Sequence, residues 1–212
     1  SAPIPTSMDY GFKDLKDPNA YNPERAKQLL AEDGWKDTDG DGILDKDGKP
    51  LTFNFVVYNS RAELPLYAEA VQADLKKVGI DMKIKTVDYN LIDKMGQEGD
   101  YDMLISNIVT ANTGDPIWFL ANYWHTNNNG SNPQNGSGYS NPQVDQLLDA
   151  AETEFDPAKR RDYAIQIQQL LMNDGAALFL GYPKTNIVTG SYLKGAVMYP
   201  SDYYWITNKI TK

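Results

Sequence analysis

Two runs of alternating apolar residues, LTFNFVVY (51–58) and IDMKIKTV (80–87), bracket a helix-length segment, and no other feature constrains the fold as strongly. In the first run Leu51, Phe53, Phe55 and Val57 share one face of an extended chain, with Tyr58 at its end. Between the runs Leu64, Leu66, Ala68, Val71, Leu75 and Val78 recur at helical spacing, and Gly79 stops the helix. A crossover of this length joins parallel neighbours in one sheet. The expected fold class is α/β, a mixed sheet with flanking helices and with ligand contacts at the carboxyl ends of its strands.

The same rhythm repeats once. A helix is expected near Leu91–Met95, a strand over YDMLISNIV (101–109), and a short helix from about Asp115 and Pro116. Upstream, NPERAKQLLAEDGW carries Asn22 as N-cap, Pro23 at the first helical position, apolar Ala26, Leu29 and Leu30, and Gly34 as the stop. TNNNGSNPQNGSGYSNP (126–142) is too polar to join a core and reads as a surface loop. Two helices follow over 143–153 and 157–173, the second capped by Asp156 and Pro157, and then an apolar strand AALFLGY (176–182).

Composition narrows the function. With 29 acids against 20 bases the net charge is -9, so a phosphate backbone or anionic membrane is repelled, and nucleic acid is excluded as a partner. The chain has no cysteine, which removes thiol catalysis, disulfides and cysteine-based zinc sites together. No apolar run approaches the roughly 18 to 20 residues that span a bilayer. The opening SAPIPTSMDYGF lacks the basic and apolar regions of a signal peptide, and reads as a cut through a longer protein.

The sharpest local motif is DTDGDGILDKDG (37–48). Asp37, Asp39, Asp41 and Asp45 stand at positions 1, 3, 5 and 9 of an oxygen-ligand loop, with Gly42 at position 6 and Leu44 as its apolar anchor. The twelfth position is Gly48 rather than a bidentate Glu. A structural calcium ion is one reading; an acidic helix-to-strand turn is the other. No other cofactor is required. His125, the one histidine, follows Trp118, Phe119, Tyr123 and Trp124, and reads either as a ligand contact or as an imidazole beside core aromatics. Arg160 and Arg161 lie on a helix full of acids and amides, where a solvated face is expected.

The stretches YNPERAKQLLAEDGWKDTDGDGILDKDGKPLTFNF and YAEAVQADLKKVGIDMKIKTVDYN, with YDMLISN, GDPIWFL, YSNPQVDQLLDAA and DPAKRRDYAIQIQQLLMND in the same order, closely resemble the peptide/nickel family of bacterial solute-binding proteins. The resemblance covers nearly the whole chain. It implies a lobe of periplasmic-binding-protein type II form, namely the C-terminal lobe of a longer protein, over 1–183. Residues 184–212 would then be a tail that crosses back to the first lobe and in isolation exposes apolar residues.

The resemblance further implies binding without catalysis. The solute would be an oligopeptide or a nickel chelate, the partner an ABC permease, the location extracytoplasmic (periplasm or surface lipoprotein), and the state monomeric. Peptide-binding members place an acid four positions before the proline of a DP-like pair; here that position is Asn112, and the nearest acid is Asp115. Nickel-binding members present a histidine in the loop beyond the next helix, where His125 falls. The resemblance therefore assigns Thr110, Asn112, Asp115, Trp124 and His125, with Tyr58, to this lobe's side of the cleft. Rival readings are an extracellular carboxylate-dependent hydrolase with a structural calcium loop, and a calcium-stabilised adhesion module.

Overall fold

A computed structural model describes residues 1–110, 114–184, 186–197 and 206–212. Helix α1 (Pro23–Glu32) begins where Asn22 accepts a hydrogen bond from the Arg25 N–H at 2.9 Å, with Pro23 at its first position. Strands β1 (Asp45–Lys46) and β2 (Lys49–Pro50) then pair as a minimal antiparallel hairpin. Its two turn residues, Asp47 and Gly48, have φ of 53° and 71°, the pair of positive values that a type I′ turn needs. Gly48 thus serves the hairpin, which accounts for a glycine where a cation loop would carry Glu.

Strand β3 (Thr52–Tyr58), helix α2 (Glu63–Lys76) and strand β4 (Asp81–Val87) form the expected crossover, with β3 and β4 parallel in full register from Thr52↔Asp81 to Tyr58↔Val87. Helix α3 (Ile92–Glu98) leads to β5 (Met103–Leu104), which pairs parallel on the other side of β3. The order is β4-β3-β5. This sheet is parallel throughout, and the antiparallel pairing belongs to the separate β1–β2 hairpin. The 101–109 strand is shorter than expected. After Ile105 donates its N–H to the Val56 carbonyl, the Asn107 N–H turns to the Tyr58 hydroxyl instead of a neighbouring backbone.

The second half is helical, with α4 (Ile117–Trp124), α5 (Pro142–Thr153) and α6 (Pro157–Asn173). Asn141 caps α5, and the Asp156 carboxylate accepts from the Ala158 and Lys159 N–H groups to start α6. Two cores result. Phe55, Val57, Ala68, Met82 and Ile92 fill one between sheet and helices, while Ile117, Leu120, Leu148, Ile167 and Leu171 fill the other between α4, α5 and α6.

Residues 176–182 are not a strand. Phe179 packs on the helical core and Leu180 on the sheet core, so this apolar run joins two interiors instead of entering a ladder. The amino-terminal segment is tied down beside it. The Tyr182 hydroxyl donates to the Ala2 carbonyl at 2.6 Å, and buried Gln168 accepts from the Ile4 N–H and donates to the Tyr10 carbonyl. In the tail Val188 is 93% and Ile206 90% exposed.

Candidate functional site

At the carboxyl end of β3, Tyr58 is almost fully buried, and its hydroxyl accepts the Asn107 N–H at 3.0 Å. The Asn107 amide donates in turn to Glu63 at 3.3 Å. Tyr58 therefore cannot act as the surface contact expected of it. Tyr89, edge-on to Tyr58 at 5.1 Å between ring centres and exposed, presents the aromatic face there instead. Tyr89 follows β4 by two residues, and the rule that ligands gather beyond the carboxyl ends of strands could have found it.

Thr110 is half-buried beyond β5, and Asn112 lies outside the described residues. Asp115 is engaged at both oxygens: Oδ1 accepts the Ile117 N–H at 2.9 Å at the start of α4, and Oδ2 pairs with the Arg160 guanidinium. The same guanidinium donates to the Ala151 carbonyl and, at 2.9 Å, to the Glu154 carbonyl at the end of α5. Asp115 is thus a structural carboxylate, and Arg160, its side chain only 20% exposed, is no solvated surface charge. Arg161 likewise binds the Asp9 carbonyl and the carboxylates of Asp9 and Asp14. Burial raises the pKa of the Tyr10 phenol, and the nearby Asp115 charge adds to the rise while Arg160 opposes it.

At the other end of α4, Trp124 is buried edge-on to Tyr139 and Phe179. Its indole N–H has no hydrogen-bond partner among the described residues. His125 is partly exposed, with Nε2 3.3 Å from Asp149 Oδ1, and Nδ1 3.3 Å from the Thr126 carbonyl and 3.6 Å from Asp145. Both ring nitrogens face acceptors, an arrangement complete only when both carry protons. Burial lowers the imidazole pKa, but the Thr126 carbonyl and the two carboxylates outweigh it and leave the pKa raised.

The Asn-rich loop is anchored here, because the amides of Asn132 and Asn135 both donate to the His125 carbonyl, at 2.7 and 2.9 Å. Ala121, Asn122, His125, Ser131, Asn132 and Glu152 line an open cavity of about 260 Å³. A second open cavity of about 300 Å³, lined by Asn54, Lys85, Asp100, Tyr101 and Asp102 among others, holds none of the expected site residues. The structure therefore sets Trp124 and His125 at one end of α4, Asp115 at the other, and Tyr58 in the other core.

In the acidic loop, carboxylate oxygens of Asp37, Asp39 and Asp45 lie within 4.8 Å of one another, and Asp41 is not in the cluster. Asp37 accepts from the N–H groups of Gly40 and Gly42, Asp39 from Asp41, Asp41 from Ile43, and Asp45 from Thr38. The turn thus organises itself through its own backbone.

Residues 1–131 match the family model described as bacterial extracellular solute-binding proteins, family 5 Middle. The chain belongs to that family, and its fold is that of a lobe of the type II periplasmic binding proteins. The oligopeptide-binding protein AppA of Bacillus subtilis is 32% identical over 204 residues, which are 92% of this chain and 36% of that protein. The AppA structure in complex with a nonapeptide is similar at a TM-score of 0.71 and 30% identity, over 82% of this chain and 34% of AppA. NikA of Staphylococcus aureus in complex with Ni(L-His)2 is similar at a TM-score of 0.67 and 26% identity, over 83% of this chain and 34% of NikA. The chain spans about a third of the length of the curated relatives it matches.

Proposed function

We propose that this chain is one lobe of the solute-binding component of an ABC importer, and that the whole protein captures an oligopeptide between lobes and presents it to a permease. The similarity to peptide-bound AppA along most of the chain carries this reading. The closed, liganded form is the one the permease engages, since a ligand shifts a hinged protein toward the state it binds better. In this reading Thr110 and Asn112, joined by Tyr89, are this lobe's contribution to the cleft, while Trp124 stays in the helical core and His125 contributes only in the second reading below. The protein works outside the cytoplasm, in a periplasm or as a surface lipoprotein, as a monomer and without catalysis. The exposed Val188, Tyr192, Val197 and Ile206 of the tail pack on the remainder of the protein.

A nickel chelate is the second reading, favoured by the similarity to NikA with Ni(L-His)2 and by the position of His125. It requires one ring nitrogen to be unprotonated and to give up its present contact, with Asp149 at Nε2 or with the Thr126 carbonyl at Nδ1, because coordination needs a free lone pair. The acidic loop takes a structural calcium ion, supported by the convergence of Asp37, Asp39 and Asp45. Calorimetric titration of the complete protein with a nonapeptide, and separately with Ni(L-His)2, tests the two cargo readings. Peptide binding unaffected by His125→Ala supports the first, binding of the chelate abolished by that change supports the second, and no binding of either overturns both.

A further inference from the structure

Arg160 joins three helices with one side chain. It leaves the first turn of α6, donates to the Ala151 and Glu154 carbonyls where α5 ends, and pairs with the carboxylate of Asp115, whose other oxygen starts α4. Each contact satisfies a group that a helix end leaves without an internal partner or compensates a charge, and cations are favoured at a helix carboxyl end. Asp115 closes the connection that leaves the carboxyl end of β5, which is where an open α/β sheet meets its ligand. The neighbouring Gly114 has a φ of 83°, a left-handed backbone that glycine adopts without strain.

We infer that Arg160 is a positioning residue for solute binding: without touching the solute, it holds the start of α4, at Asp115 and Ile117, in its binding position through the Asp115 carboxylate. This rests on the solute-binding reading above. Arg161 supplies a built-in comparison. It is the next residue on the same helix and is paired with two carboxylates where Arg160 has one, but it holds the amino-terminal segment at Asp9 and Asp14. Loss of either arginine removes one cation and two or more hydrogen bonds, yet only the loss of Arg160 releases the start of α4.

The test uses the complete protein with Arg160→Ala, Arg160→Lys and Arg161→Ala, read by amide hydrogen exchange and by calorimetric titration with the nonapeptide and with Ni(L-His)2. Exchange needs no solute and reports positioning directly. Arg160→Ala is expected to speed exchange in peptides covering 114–120 at least tenfold, and Arg161→Ala to do so only in peptides from 1–17. With whichever probe the wild type binds, Kd is expected to rise about tenfold in Arg160→Ala, to rise less in Arg160→Lys, which keeps the charge but loses the fork, and to stay within twofold in Arg161→Ala. If Arg160→Ala does not fold, Arg160→Lys carries the same comparison. Unchanged exchange at 114–120, or equal loss of affinity in Arg161→Ala, overturns the inference. Faster exchange there in a protein that binds neither probe overturns the proposed cargo and the role in binding, while leaving Arg160 as a purely structural brace.

Discussion

His125 Nε2 stands 3.3 Å from Asp149 Oδ1 while its Nδ1 stands 3.3 Å from the Thr126 carbonyl, so the imidazole links the end of α4 to α5 through Nε2 and is held by its own neighbour through Nδ1. The raised pKa gives the linkage its direction. A group whose folded pKa lies above its unfolded value stabilises the fold fully below the unfolded value, and loses that contribution as pH rises through the folded one. The stability difference between wild type and His125→Gln is therefore expected to be constant below pH 6.5 and to shrink as pH rises above it. An imidazole titration by NMR should place the midpoint above the ordinary 6.5; a midpoint at or below that value contradicts the geometry.

Gln168 is fully buried on α6, and its amide holds both the Ile4 N–H and the Tyr10 carbonyl. Gln168→Leu keeps the volume but leaves both backbone groups without partners, at a cost of about 3 kcal/mol. Urea denaturation should show that loss, and hydrogen exchange should place it in residues 1–10. A change below about 0.5 kcal/mol would mean that the amino-terminal segment docks without this amide.

Calcium at 100 times its dissociation constant should raise the stability of the protein by about 2.7 kcal/mol if the acidic loop holds the ion in the folded state alone. Asp37→Asn should remove that gain, since Asp37 is one of the three converging carboxylates. Thermal melts with calcium and with a chelator measure it. Equal melting temperatures would leave the loop as the self-bonded turn its Asp and Gly contacts already make.

Much of the fold was legible where local chemistry decides it. Asn22 with Pro23 and Asp156 with Pro157 cap their helices as expected, whereas Asn141 and Pro142, read as the end of a loop, start α5 by the same chemistry. The β3–α2–β4 crossover follows from two periodicities that a single sequence displays. What failed depended on partners far along the chain. An apolar run suggests a strand for AALFLGY, but does not show that Phe179 and Leu180 lean on different cores while Leu178 stays exposed. In the same way a charged pair on a helix does not reveal that Arg160 reaches Asp115, 45 positions away, or that Arg161 reaches Asp9. The candidate site was less legible than the fold. Resemblance located the α4 region, but whether a side chain faces solvent, as Tyr89 does, or is sealed in, as Tyr58 is, depends on packing that no motif encodes.

The most direct measurement is calorimetric titration of the complete protein with a nonapeptide, in wild type and in His125→Ala. Tight binding in both, with Kd changed less than about threefold by the substitution, is the predicted result for a peptide carrier whose imidazole is held between Asp149 and Thr126. No heat with the peptide, together with tight binding of Ni(L-His)2 that His125→Ala abolishes, would contradict it and make the imidazole a metal ligand.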